Sequence, residues 1–289
     1  MPSLQSVRRK IGSVKNTQKI TKAMKMVAAA KLKRAQDRIV AARPYAQKMA
    51  GVLKSLSQKV NRDLHPLLRR RPVRRAELLI VTADRGLCGG FNANILRRAA
   101  SFIQEKREEG VEVGISVVGR KARDFFRRRN ILPRGTWTQI FDRLTYAQAS
   151  EIGRDMVAEY TRETFDELYL LYNEFKSVME QRVTVDKLLP IEPEAAEASV
   201  SGGDYLYEPG EEEVMSQLLP RYVDAQIFRA LMESAAGELG ARMTAMDSAS
   251  RNAGEVIKKL TLVYNKTRQT AITKELMDIV GGAEALRAR

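Results

Sequence analysis

Apolar residues at the start of the chain recur at alternating steps of three and four. From Leu4 the series runs through Val7, Ile11, Val14, Gln18, Thr21, Lys25, Ala28, Leu32, Ala35, Ile39, Ala42, Ala46, Met49, Leu53, Leu56 and Val60, and 14 of the 17 positions are apolar. That step pattern is a coiled-coil seam on a long helix. The three failures are adjacent, and there the apolar residues move back to Ile20, Ala23, Met24 and Val27. Such a shift predicts a local change of supercoil that turns a different face outward. Pro44 is expected to kink or interrupt the helix.

The end of the chain carries the matching pattern. Residues 221–289 contain no proline, and Leu239, Met243, Met246, Ser250, Ala253, Ile257, Leu260, Tyr264, Thr267 and Ala271 repeat the same steps. At 1.5 Å per residue the two helices would reach on the order of 85 and 100 Å. Helices of that length need support along their sides, so the two ends are expected to lie side by side, head to tail. Between Ser234 and Gly254 the chain is crowded with Ala, Gly and Ser, which permits close approach of a neighbour. Each interior glycine there (Gly237, Gly240, Gly254) costs about 1 kcal/mol of helix propensity against Ala. The segment therefore leans on its partner.

The middle of the chain has another rhythm. Short branched runs at 76–82, 111–118, 167–172 and 177–186 alternate with helical stretches at 93–109, after Gly119 to Arg129, and at 146–164, and a short strand is expected at 137–141. Alternation of this kind predicts an open, mostly parallel, Rossmann-like α/β sheet, with its last two strands forming a hairpin at an edge. The expected organisation is an N-terminal coiled-coil helix over 1–60 and a basic linker over 61–75. An α/β domain over 76–189, a linker and loop over 190–209, and a C-terminal coiled-coil helix over 210–289 follow. Pro220 is expected to mark a kink near the start of the last helix.

Charge separates the arm from the rest. The net charge is +15, yet residues 1–75 hold 21 Lys and Arg against only Asp37 and Asp63, a net of +19 that leaves −4 for the remainder. An arm of that kind implies acidic partners, whether nucleic acid, anionic lipid or acidic protein loops. No apolar run approaches the roughly 18 residues of a membrane span. The single cysteine, Cys88, excludes an internal disulfide and fits a reducing compartment. With His65 the only histidine, no histidine cluster or relay can form within the chain.

The most enzyme-like stretch is the turn Asp84-Arg85-Gly86-Leu87-Cys88-Gly89-Gly90-Phe91-Asn92, placed after a strand and before a helix. Backbone amides and a helix dipole can hold an anion at such a place. The turn lacks both the Gly-Lys-Ser/Thr of a P-loop and the GxGxxG of a dinucleotide site. Its other reading is a structural turn in which Gly86, Gly89 and Gly90 allow close packing. Cys88 has no histidine to activate it. A basic helix with heptads also suggests a basic coiled-coil nucleic-acid-binding protein, although basic residues here are threaded through the heptads instead of preceding them.

Three stretches, in order, closely resemble the gamma subunit of F-type ATP synthases. They are IGSVKNTQKITKAMKMVAAA over 11–30, DRGLCGGFN over 84–92, and ARMTAMD over 241–247 with YNKTRQTAITKELMDIVGGAEAL over 264–286. The resemblance implies an antiparallel pair of terminal helices inside a hexamer of alpha and beta subunits, with the α/β domain beside the epsilon subunit and the c-ring. It implies a rotor shaft that couples ion-driven c-ring rotation to the beta subunits, without catalysis or cofactor of its own, without nucleic acid, and with membrane contact only through the complex. By the same resemblance Arg268 and Gln269, with Arg242 nearby, catch a beta-subunit loop. Met24 lies against the beta-subunit lever or, on the residues alone, packs in the seam, and Arg8 and Arg9 make ionic contact with the hexamer. Tyr205, Tyr207 and Glu208 face the c-ring and epsilon. The cysteine pair of plastid relatives is absent, so thiol control is not expected. Without a transit-like leader, a peripheral place at the cytoplasmic face of a bacterial membrane is expected.

Overall fold

A computed structural model describes residues 3–59, 65–192, 208 and 210–287. The chain divides into two compact units, residues 28–242 and residues 1–27 with 243–289. The first helix, α1 (Leu4–Lys59), and the last, α5 (Glu211–Arg287), contribute to both units.

The larger unit holds a five-stranded sheet in the order β3-β2-β1-β4-β5. Its strands are β1 (Arg75–Val81), β2 (Glu112–Val118), β3 (Thr136–Trp137), β4 (Glu167–Phe175) and β5 (Gln181–Leu189). Only the β4–β5 pairing is antiparallel, as expected of an edge hairpin. Central β1 is buried from Ala76 to Val81, which explains the apolar run from Leu78 to Val81. One side of the sheet packs Leu78, Ile80, Ile115 and Val117 against α2 (Phe91–Glu108) and α3 (Arg120–Arg127), through Ile95, Ala99, Phe102, Ala122 and Phe126. The other packs Leu79, Val81, Leu170 and Tyr172 against α4 (Tyr146–Thr161), through Ile152, Met156 and Tyr160. Met49 and Leu53 of α1 and Met215, Leu219, Val223, Ile227 and Leu231 of α5 join this second core.

Both long helices continue through their prolines, and one expected strand is shorter than the sequence suggests. Helix α5 begins at Glu211 and runs through Pro220, because Leu219 and Val223 on either side are held in the core. Three glutamates, Glu211 to Glu213, complement the dipole at its start. Helix α1 likewise continues through Pro44, with Met49 and Leu53 buried beyond it. The expected strand at 137–141 is two strand residues followed by a 3-10 turn over Ile140–Asp142. Within the sheet, buried Glu77 accepts from Ser116 Oγ at 2.5 Å and pairs with Arg134, while burial pushes its carboxyl upward.

The smaller unit is a helix pair. In α1 every seam position from Leu4 to Lys25 is buried or half-buried, and the same holds in α5 from Met243 to Ala271. Rising numbers on one helix meet falling numbers on the other: Gln18 Nε2 donates to the Ser250 carbonyl at 3.3 Å, and Lys25 Nζ lies 2.6 Å from Asp247 Oδ1. The helices are therefore antiparallel. Their series then match step for step, Leu4 level with Thr267, Val7 with Tyr264, Ile11 with Leu260, Val14 with Ile257, Gln18 with Ala253, Thr21 with Ser250 and Lys25 with Met246. The phase slip does not displace the seam. Gln18, Thr21 and Lys25 stay in it, each hydrogen-bonded, and Ile20 and Val27 face outward at 59% and 56% exposure. Beyond Ala271 no α1 residue is left to pair, and Ile272, Leu276, Met277, Ile279 and Val280 are exposed.

Gly153 of α4 lies against Asp224 of α5, where an added Cβ would overlap the carboxylate, whereas Gly51 of α1 meets open space. Gly153→Ala is expected to destabilise by about 1–3 kcal/mol. Gly51→Ala is expected to stabilise by up to about 1 kcal/mol. Urea unfolding of both variants checks this; equal effects would contradict the α4–α5 packing.

Candidate functional site

The outer surface of the helix pair carries four of the residues that the sequence singled out. Arg8 and Arg9 are exposed on α1, and Arg268 and Gln269 are exposed on α5. With Leu4 level with Thr267, Arg8 and Arg9 stand within about two turns of Arg268 along the axis, so the register gathers four polar residues near one level. Met24 does not belong to that group. It is half-buried beside Lys25, roughly 25 Å further along, and the exposed apolar side chains of Ile20, Met26 and Val27 flank it. Its neighbour Lys25 holds the Asp247 carboxyl below the usual carboxylate range, the hydrogen bond being the main cause. Asp247 also receives Arg251 at 3.5 Å.

Arg242 belongs to the larger unit and is already engaged. Its Nη2 donates to Glu238 Oε1 at 2.5 Å and to the Gly86 carbonyl at 3.1 Å, leaving the side chain 14% exposed. Glu238 is buried, and desolvation raises its carboxyl despite the nearby guanidinium. The sequence reading passed over Glu238. Its i,i+4 spacing from Arg242 was the available signal.

Arg242 thus pins the glycine turn from α5. Within the turn, Asn92 Oδ1 accepts from the Ala83 amide at 2.9 Å, and Asn92 Nδ2 reaches Cys88 Sγ at 3.1 Å. Asp84 accepts from the amides of Arg120 and Gln139, both at 3.0 Å. Gly89 takes a left-handed φ of 57° that glycine adopts without strain. Gly90 caps α2 with no side-chain bond, and Gly86 meets only Lys121 at ordinary contact. Cys88 is 2% exposed, and burial raises its thiol. The side chains of Asp84 and Asn92 hold β1, α2 and α3 together, while Arg85 is exposed near Asp142. Among the described residues no group of His, Cys, Asp and Glu could hold a metal, and no helix is long and apolar enough to cross a membrane. Glu208 is exposed; Tyr205 and Tyr207 lie outside the described residues.

An antiparallel two-helix coiled coil on the same chain as an open α/β sheet, with its conspicuous residues on the outer face of the helices, defines a stalk-type protein. The whole chain matches one family model, "ATP synthase", over residues 3–286. It is 50% identical over 287 residues to the ATP synthase gamma chain of Geobacter sp. (strain M21), covering 99% of this chain and 100% of that one. Among solved structures it is similar to a chain in the central stalk and c-ring of the Tetrahymena thermophila mitochondrial ATP synthase, with 26% identity and a TM-score of 0.60 over 80% of this chain and 99% of that one. A chain of the Euglena gracilis mitochondrial ATP synthase gives 0.73 at 23% identity, over 99% and 95%, a likeness of fold. The chain belongs to the ATP synthase gamma-chain family.

Removing the guanidinium leaves Glu238 buried without its partner and the Gly86 carbonyl unbonded. Arg242→Ala is expected to speed reaction of Cys88 with a soluble thiol reagent at least about tenfold, the factor equivalent to losing one charge-assisted hydrogen bond. Unchanged Cys88 reactivity would show that the turn holds without Arg242.

Proposed function

We propose that the chain is the central rotor shaft of an F-type ATP synthase, coupling ion-driven rotation of a c-ring to conformational cycling of catalytic beta subunits. The observation that carries this reading is the continuous matched seam of the helix pair. Two helices braced along such a seam resist bending and twisting better than one. A layer of Gln18, Thr21, Lys25, Ser250 and Asp247 opposes sliding, because a shift would leave polar groups facing apolar ones. The shaft transmits torque and catalyses nothing; nucleotide chemistry falls to the beta subunits.

Alpha and beta subunits are the proposed partners of the helix pair, and epsilon and the c-ring those of the other unit. A rotating surface must push without adhering. Exposed cations facing acidic loops attract over a range of small displacements, whereas deeply interlocked apolar anchors would hold one position. In this scheme Arg268 and Gln269 catch a beta-subunit loop, Met24 bears on the beta lever, and Arg8 and Arg9 add ionic contact. Arg242, held against the glycine turn, is assigned to the same catch. Tyr205, Tyr207 and Glu208 are assigned to the c-ring and epsilon side. The complex belongs to a membrane, and we place this chain peripherally at the cytoplasmic face of a bacterial one.

Arg268→Ala or Gln269→Ala in a reconstituted complex is expected to lower ATPase turnover severalfold while leaving the melting of the isolated chain unchanged, since both side chains are exposed. Wild-type turnover from both variants would remove them from the catch.

A further inference from the structure

Within the larger unit, the β4–β5 hairpin presses its side chains directly on the backbone of α5. Ser234 Oγ, 1% exposed, accepts from the Asn173 amide of β4 at 3.3 Å. Further along α5, a Cβ added to Gly237 would stand 3.3 Å from Phe91 Cε2 at the start of α2 and 3.4 Å from Gln181 Cγ at the start of β5. At Gly240 it would stand 3.3 Å from Cε2 of Phe175, the last residue of β4, and 3.5 Å from both Gln181 Nε2 and the Val178 carbonyl oxygen. Gln181 is itself held, its Nε2 donating to the Ser177 and Val178 carbonyls at 3.1 and 3.0 Å. Before these contacts, Arg229 Nη2 donates to Asp186 Oδ2 of β5 at 3.2 Å, and the same oxygen accepts from the Tyr172 hydroxyl of β4 at 2.9 Å. From Arg229 to Gly240 the hairpin thus follows α5 for about three turns.

Neither glycine serves the helix. Each weakens it relative to Ala, and neither takes the left-handed conformation that would require glycine. What they permit is approach. With no side chain between, Phe175 and Gln181 bear on the helix backbone itself, where no rotamer can yield when the contact is loaded. The hairpin end is braced in turn, Ser177 and Glu180 exchanging amide bonds at 3.1 and 3.3 Å. The apolar core from Met215 to Leu231 holds α5 against the sheet, but apolar contact is non-directional and resists separation more than rolling about the helix axis. Resistance to rolling falls to the hairpin and its polar bonds.

We propose that this clasp, Asn173 to Gln181 against Ser234 to Gly240, is a positioning element that makes the sheet and α5 turn as one body. Residues 190–210 join β5 to α5 and include Tyr205, Tyr207 and Glu208, assigned above to the c-ring and epsilon side. Force applied there pulls on β5 and on α5 together. Without the clasp the sheet would be dragged around α5, and part of each rotational step would be lost as that slip. With it, Gln181 and Phe175 pass the load to the helix backbone. The clasp has this role only in a shaft, and so rests on the reading given under the proposed function.

The test uses a complete ATP synthase reconstituted into vesicles with the full-length chain, reading ATP hydrolysis and the membrane potential it drives in the same sample. Gly240→Leu forces Phe175 and Gln181 off the helix, whereas Gln181→Ala removes the bearing side chain without altering α5. Both are expected to keep hydrolysis while the potential built at a given rate of hydrolysis falls severalfold, Gln181→Ala showing the smaller loss. With Cys88 changed to Ser, Gln181→Cys combined with Gly237→Cys places two thiols within bridging reach. Oxidation of that pair is expected to give wild-type coupling, and reduction to lower it again. Wild-type coupling in both single variants would overturn the clasp. So would hydrolysis and potential falling together in both, or a cysteine pair whose coupling does not respond to oxidation, since each would leave the contact as ordinary packing. A complex that builds the same potential with the chain left out would instead overturn the shaft reading itself.

Discussion

One constraint governs the helix pair: each seam residue of α1 must find a seam residue of α5 at the same height. Steps of three on one helix are met by steps of three on the other, from Leu4 against Thr267 to Lys25 against Met246. Antiparallel helices meet this condition over many turns only if both follow a seven-residue repeat and are mirrored in phase. The overhang follows directly. Helix α1 begins at Leu4, so residues of α5 past Ala271 have no level partner, and their apolar side chains remain exposed.

The same constraint gives the polar interruption its role. Gln18, Thr21 and Lys25 occupy seam positions that apolar residues would stabilise more, and the bonds to Ser250 and Asp247 recover only part of that loss. What they contribute is register, since slippage by one heptad would leave these groups unmatched. Displaced from the seam, Ile20 and Val27 form an outward apolar ridge beside Met24. One local substitution pattern therefore both fixes the pair and supplies a surface. In the larger unit, Arg242 and Glu238 act similarly on a smaller scale, tying α5 to the turn that joins β1 and α2.

Much of this was legible in the residues because the signals were long. Seam positions in both helices needed only the step pattern, and four of the five strands followed from short branched runs between helical stretches. Reasoning from local rules failed where packing overrode them. Pro44 left an interruption open, but the helix continues through it with Met49 and Leu53 buried beyond, as α5 continues through Pro220 between buried Leu219 and Val223. Moving apolar residues at 20–27 suggested a shifted seam, because periodicity weighs hydrophobicity and cannot see that Gln18 and Lys25 have partners more than 200 residues away. The engagement of Arg242 was hidden for a related reason. A lone basic residue reads as a free contact until the carbonyl it binds, 156 residues earlier, is known.

The most direct test of the account is the register of the helix pair in solution. In full-length chain with Cys88 changed to Ser, Gln18→Cys combined with Gly254→Cys places two thiols where Gln18 Nε2 now stands 3.1 Å from the position of a Cβ on Gly254. Mild oxidation is expected to join them rapidly within one molecule, while Gln18→Cys with Val263→Cys, roughly 13 Å further along, stays reduced. Efficient joining of the second pair, or failure of the first, would contradict the antiparallel seam.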